Sequence, residues 1–310
     1  MQFFAFVDPV AVQIGPLSIR WYGIIIVSAI ALAIWLGGRF AKDRGLNPDF
    51  VSDFAMVLVP AGILGARLYE VFVLQWPYYS QHPGEILKIW HGGLAIHGAV
   101  LGGAIAAALY LPVRRQPFWR WADVVGLVLP LAQAVGRWGN FFNQEAYGDP
   151  APEGLVRLMP DWLREGMTIN GTVMHPTFLY ESVWNLLTFG VLYAVHRRRP
   201  RTGVVISLYF ILYNAGRFFI ESIRQDSSFI FGTIRVAQLV SGVLVVVGLV
   251  LLAYFLKRPV EVLETAEASD AQDAQDAPKV PEAAEAPEAP GAPEAAEAPE
   301  AAEPPAPKDE

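Results

Sequence analysis

Seven stretches of this 310-residue chain stay apolar over the roughly 19 residues that a helix needs to cross about 30 Å of hydrocarbon. They lie near 19–38, 52–74, 93–112, 122–138, 176–195, 202–222 and 236–256. A backbone in lipid must satisfy its own hydrogen bonds, so runs of this length predict helices. The expected fold class is therefore an all-α membrane protein with seven transmembrane helices. Composition agrees, with 54% apolar and 17% charged side chains and a mean hydropathy of +0.35. Pro60 and Pro130 fall inside the second and fourth spans, where neighbouring helices take up the carbonyls that proline frees.

The connections between spans carry an orientation signal, because Lys and Arg are retained on the cytoplasmic side. Arg39, Lys42 and Arg44 follow span one, Arg114, Arg115 and Arg120 follow span three, Arg197, Arg198, Arg199 and Arg201 follow span five, and Lys257 and Arg258 follow span seven. The alternate connections are poor in basic residues. This alternation predicts an amino end outside and a carboxyl end in the cytoplasm. Residues 139–175 hold Pro150, Pro152, Pro160, Trp162 and several glycines, which predicts a small extracytoplasmic head inserted into a membrane domain of residues 1–258. From Pro259 the chain is an Ala/Pro/Glu run with 15 Asp/Glu against 2 Lys, expected to be a disordered cytoplasmic tail over 259–310. Met1 to Pro9 lack the basic start of a cleavable signal peptide, so the first span is expected to remain in the mature protein.

The absence of cysteine excludes disulfides, thiolate metal sites and a cysteine nucleophile on this chain. Any thiol chemistry must use another molecule's sulfur. No Walker-type or dinucleotide-type glycine loop is present, and the glycines fall within apolar spans.

An ionisable side chain at mid-membrane costs roughly 2.5–3.5 kcal/mol, so each one needs a partner or a purpose. Gly136 through Gly148, at the end of span four, contains Arg137 and Asn140 three apart, then Glu145. A continuing helix places Arg137 and Asn140 on one face, and a guanidinium fork suits a phosphate or carboxylate. The same residues also fit an interfacial arginine with Asn140 as a helix cap. In span six, Tyr213, Arg217, Glu221 and Arg224 step by four, four and three into one stripe with net positive charge. A plain Arg217–Glu221 ion pair fits that spacing equally well. Span three opens on Trp90-His91-Gly92-Gly93-Leu94-Ala95-Ile96-His97-Gly98, where Gly98 and Gly102 have the spacing of close helix packing and the His97 imidazole is a candidate proton carrier. A hydrogen-bonded structural histidine is the alternative there, and two histidines are too few for a metal site. A thinner group holds Arg20-Trp21-Tyr22-Gly23, which also fits an aromatic belt, Arg67 with Glu70, which fit an internal pair, and His175-Pro176-Thr177-Phe178-Leu179-Tyr180-Glu181.

These motifs, taken together and in this order over about residues 8–256, resemble the bacterial phosphatidylglycerol–prolipoprotein diacylglyceryl transferase family, with Gly136 through Gly148 as its signature. Where many relatives have Asp after the tryptophan, this chain has His91. The resemblance implies a seven-span enzyme of the bacterial cytoplasmic membrane that moves the diacylglyceryl group of phosphatidylglycerol onto the lipobox cysteine of a preprolipoprotein and releases glycerol phosphate. Its partners on that reading are phosphatidylglycerol, the lipobox-bearing signal peptide and membrane lipid, with no nucleic acid, cofactor or metal. Catalysis falls to Arg137 and Arg217, which hold the departing phosphate, with Asn140 and Tyr213 supplying hydrogen bonds and His97 as the general base. Glu145 and Glu221 orient the arginines, Tyr22 lines the headgroup site, and Gly148 leaves room for backbone. From other classes, a seven-span transporter also places arginines inside a bundle, and a scaffold or sensor leaves the polar clusters without a purpose.

Overall fold

In a computed structural model, residues 9–15, 17–225, 229–230 and 234–258 are described, so the expected disordered tail at 259–310 lies outside them. The chain begins with a hairpin, β1 (Val10–Ile14) paired antiparallel with β2 (Leu17–Arg20), and runs directly into α1 (Trp21–Asp43). Next come α2 (Phe50–Tyr69), which continues through one π-helical turn at Glu70–Leu74, and the short α3 (Trp76–Gln81). Two 3-10 turns lead to α4 (Ile96–Val113), followed by α5 (Phe118–Asn143). A compact stretch holds α6 (Glu153–Leu158), α7 (Asp161–Gly166) and the hairpin β3 (Thr168–Ile169) with β4 (Thr172–Val173). The last elements are α8 (Thr177–Arg197), α9 (Val204–Glu221), the hairpin β5 (Phe229–Ile230) with β6 (Ile234–Arg235), and α10 (Val236–Lys257). Hydropathy did not foresee the hairpins, since each is only two to five residues per strand.

Among the described residues, six helices are long and apolar enough to cross a membrane: 21–43, 50–74, 96–113, 177–197, 204–221 and 236–257. The fourth expected span is α5, which at 26 residues is long enough but more polar. Packing explains the difference. The six apolar helices turn large side chains such as Val27, Leu64, Leu109, Leu187, Phe219 and Val250 outward. By contrast α5 packs against α1, α8 and α9 and buries Val124, Leu127, Val128 and Ala134. A helix sheathed by protein needs no apolar exterior, and so it tolerates Asp123, Gln133 and Arg137. It also overruns its expected limits of 122–138 at both ends. Span three, expected from 93, starts at Ile96 because Gly92 and Gly93 have φ of 91° and 73°, outside helical space. Both Pro60 and Pro130 sit inside continuous helices.

The pair α2 and α4 meets backbone to backbone. A Cβ on Gly65 would stand 2.4 Å from the Gly98 carbonyl oxygen, and one on Gly102 would stand 2.4 Å from that of Ala61, so the small-residue spacing at Gly98 and Gly102 serves helix contact. This pair joins the rest through an aromatic group at one end, where the Phe50 ring lies 5.0 Å from Trp121 and 5.7 Å from Tyr110.

At that same end lies a buried ionic group. The Asp123 carboxylate accepts the backbone N–H groups of Gly203 at 2.8 Å and Ile206 at 2.9 Å, capping the first turn of α9. Arg44, just past α1, stands 3.9 Å from Asp123, donates to the Pro200 carbonyl at 3.0 Å and reaches His196 Nδ1 at 3.3 Å. Burial pulls the Arg44 guanidinium below its ordinary range, and Asp123 pulls it back.

Candidate functional site

The opposite end of α5 carries Arg137 and Asn140, and the helix continues past both, so they share a face as their spacing predicts. Asn140 is not a cap: the helix ends at Gln144, which takes a left-handed conformation. The first turns of α8 bring Glu181 to the same place, and the last turns of α9 bring Arg217 and Glu221. Arg137 Nη2 lies 2.5 Å from Glu181 Oε2, while Arg217 Nη1 and Arg224 Nη1 each lie 3.0 Å from Glu181 Oε1. Arg217 Nη2 also lies 2.5 Å from Glu221 Oε2, and Arg224 Nε lies 3.8 Å from it. Glu181 is 4% exposed, whereas Arg137 and Arg217 keep 21% and 18% of their side chains open. Two guanidiniums from different helices thus converge on one carboxylate while retaining an accessible edge.

Spacing within the His175 to Glu181 motif gives Glu181 no role of its own. Its signal was available, because it is the only acidic residue in the whole of α8, and a lone carboxylate within an apolar helix demands cations from elsewhere. Glu145, expected to orient the arginines, instead accepts from Asn140 Nδ2 at 3.1 Å and Asn143 Nδ2 at 3.3 Å. Among the described residues no ion pair joins Glu145 to an arginine. Glu221 does pair with Arg217 and Arg224, so the stripe on α9 is an ion-pair ladder as well as part of the arginine cluster.

The backbone around the cluster is strapped. Gly148 N–H donates to the His175 carbonyl at 3.1 Å, His175 N–H to Asp149 at 2.9 Å, and Asp149 N–H to Ile223 at 2.8 Å. Three segments therefore cross at Gly148, where a Cβ would come within 2.8 Å of both the His175 Cβ and the Ile223 oxygen. Arg235 donates to the Arg224 carbonyl at 2.9 Å and to that of Glu221, closing the strap after α9. Beside it, Met159, Leu163, Met167 and Phe178 form a small apolar core with Trp138 and Phe141, which fixes the 153–173 segment onto α5 and α8.

Tyr22 packs on Gly139, whose absent Cβ would lie 2.7 Å from its ring, two residues past Arg137 on α5. Tyr213 stacks on Tyr209 at 5.5 Å, and Tyr209 accepts from Gln133 at 2.9 Å, so both tyrosines lie along the α5–α9 seam leading to Arg137 and Arg217. His97 lies on the exposed face of α4 with its ring 6.0 Å from Tyr69. Arg67 does not pair with Glu70. It is buried and donates to Tyr79 Oη and to the carbonyls of Glu85, Ile86, Gly92 and Gly93 at 2.6–3.1 Å, gathering the loop before α4. In that loop His91 Nδ1 lies 2.7 Å from Glu85 Oε2. Among the described residues no group of three or more His, Asp or Glu is placed to hold a metal ion. An apolar groove of about 360 Å³ between α8 and α9, lined by Tyr180, Trp184, Gly216 and Phe219 among others, opens one residue from Glu181 and from Arg217.

The arrangement is a guanidinium pair on a shared anion, set among apolar helices. Residues 9–254 match the family described as prolipoprotein diacylglyceryl transferase. A phosphatidylglycerol–prolipoprotein diacylglyceryl transferase of Symbiobacterium thermophilum is 84% identical over 261 residues, covering 84% of this chain and 97% of that protein. The like-named enzyme of Oceanobacillus iheyensis is 46% identical over 80% of this chain and 88% of its own length. That of a Staphylococcus aureus strain is 44% identical over 81% and 90%. With the match running from β1 to the last turn of α10, the chain belongs to the prolipoprotein diacylglyceryl transferase family.

Proposed function

We propose that this protein transfers the diacylglyceryl group of phosphatidylglycerol to the lipobox cysteine of preprolipoproteins, the first step of bacterial lipoprotein maturation, and that Arg137 and Arg217 carry the chemistry. The observation that supports this assignment of residues is their convergence on one carboxylate, with Arg137 at 2.5 Å and Arg217 at 3.0 Å from Glu181. Guanidiniums spaced around a carboxylate are also spaced around the oxygens of one phosphate.

In the reaction the substrate's thiol, with a pKa near 8.5, loses its proton and the thiolate attacks the glycerol carbon that bears the phosphate. A carbon–sulfur bond forms, the carbon–oxygen bond breaks, and glycerol phosphate leaves with the bonding electrons. Charge grows on the departing phosphate as that bond stretches. Guanidiniums held ready in a low-dielectric site stabilise this charge more in the transition state than in the bound lipid, which lowers the barrier. Asn140, Tyr213 and Tyr22 line the headgroup side of the cluster. Glu221 steadies Arg217, Glu145 steadies Asn140, and Gly148 holds the strap close. The groove between α8 and α9 offers the acyl chains an apolar surface next to the arginines. His97 is the general base, and its exposed position on α4 is consistent with reaching a thiol that enters from outside the bundle.

Residues 1–258 form the catalytic domain, with α5 as a seventh span at its centre. The basic connections support an amino end outside, a carboxyl end in the cytoplasm, residues 139–175 as an extracytoplasmic head and 259–310 as a cytoplasmic tail.

The deciding experiment supplies purified protein with phosphatidylglycerol and a lipobox peptide, and weighs the peptide. A gain of one diacylglycerol unit is expected from the wild type, and a loss of at least ~100-fold in its rate from Arg137→Gln and from Arg217→Gln, as for removal of a group that stabilises a developing anion. Near-normal rates in both variants would remove the leaving-group argument. For the base, the acid limb of the pH–rate profile moves or disappears in His97→Gln. An unchanged profile and rate would reassign His97 to structure.

A further inference from the structure

We propose that Glu181 is a positioning residue for this reaction: it holds Arg137 and Arg217 at phosphate spacing while the site is empty, and gives up the anion's place to the phosphate during turnover. The inference rests on the reading that these two arginines bind the phosphate. Two guanidiniums on separate helices repel each other, and in an apolar bundle little water screens them. A carboxylate between them removes that repulsion and sets their separation before the lipid arrives, which is the preorganisation that leaving-group stabilisation requires.

Three further features fit this role. Glu181 is itself immobilised, since the next residue, Ser182, donates to the Ala134 carbonyl of α5 at 2.9 Å and pins the first turns of α8. Its Oε1 is shared between Arg217 and Arg224, both at 3.0 Å, so the carboxylate keeps a cation when Arg137 and Arg217 turn to the phosphate. Arg224 is in turn tethered through its carbonyl by Arg235, which keeps this second partner in place. Glu181 therefore exchanges partners during the cycle without leaving a bare buried charge.

The test compares Glu181→Gln and Glu181→Asp with the wild type, reading the transfer rate, inhibition by glycerol phosphate and the thermal unfolding midpoint in lipid-containing micelles. Glu181→Gln is expected to lower kcat by at least ~100-fold while tightening inhibition by glycerol phosphate several-fold, because the arginines lose their spacing and the anion loses its competitor. Glu181→Asp, which keeps the charge, is expected to recover most of the rate. A merely structural bracket predicts a different pattern: rate, anion affinity and unfolding midpoint fall together in Glu181→Gln. That pattern, or an unchanged kcat, overturns the proposal. If Arg137→Gln and Arg217→Gln retain activity the underlying phosphate reading fails, whereas loss in those two variants alone refutes only the role of Glu181.

Discussion

The two ends of α5 hold two ionic groups built on opposite rules. Asp123 and Arg137 lie on the same helix about 21 Å apart along its axis. At the Asp123 end, Asp123 and Arg44 are 1% and 2% exposed, and the carboxylate spends itself on backbone N–H groups of α9. At the Arg137 end, side chain meets side chain, and the guanidiniums keep an open edge. A buried charge whose partners are backbone is committed to the fold, because no ligand can replace them without unwinding a helix. A charge whose partner is another side chain can change partners. Buried ion pairs by themselves say little about function, and the kind of partner is what separates these two.

Swapping the damage between the ends breaks or sharpens this contrast. Asp123→Ala should have the largest effect on stability, about 3–5 kcal/mol, since it strands Arg44 and uncaps α9. Unfolding in micelles measures it, and the transfer rate per folded molecule should be unchanged. Arg217→Gln should do the reverse, leaving the unfolding midpoint within a few degrees while transfer stops. Glu181 still has Arg137 and Arg224, and Glu221 still has Arg224. If both variants lose stability and turnover in proportion, the two ends do not differ.

Each end also offers a crowded glycine, which gives a finer comparison. Gly148→Ala and Gly203→Ala should each cost about 1–3 kcal/mol through overpacking, the first against His175 and Ile223, the second against the Phe255 ring at 2.4 Å with a φ of 88° adding strain. Only Gly148→Ala should also slow transfer, because its strap borders the arginines. Equal activity in the two variants would detach the strap from the site.

The smallest effect belongs to neither end. Hydrogen bonds from Lys88 and then His91 hold the Glu85 carboxyl below the usual range. In the unfolded chain that carboxyl titrates normally, so its contribution is complete above about pH 5 and fades as pH falls through the lowered folded value. Amide protection factors over residues 83–93, taken against the intrinsic exchange rate at each pH, should fall at acid pH in the wild type, and Glu85→Gln should flatten that dependence. A wild-type loop indifferent to acid would mean that Arg67 alone holds it.

Much of the bundle was legible because lipid imposes one simple demand, that a spanning helix show apolar side chains to its surroundings. The demand lapses for α5, which faces protein, and its hydropathy is accordingly the weakest clue. Within the site, Arg137 with Asn140 and Arg217 with Glu221 were legible because each pair sits on one helix at fixed spacing. Glu181 reaches its partners from a third helix, and no local period encodes such a meeting. Arg67 misled for a related reason. Glu70 at i+3 offered an obvious partner, but two glycines at positive φ, Gly92 and Gly93, aim their carbonyls at the guanidinium, and backbone partners leave no mark in a side-chain pattern.

The glycine contact between α2 and α4 has a mechanical consequence. With backbone laid directly on backbone at Ala61, Gly65, Gly98 and Gly102, the two helices leave no room at these positions for flexible side chains to slide or repack. The couple therefore moves as one stiff plank or stays still. Its aromatic attachment at Phe50, Tyr110 and Trp121 fastens that plank to α5 at the Asp123 end.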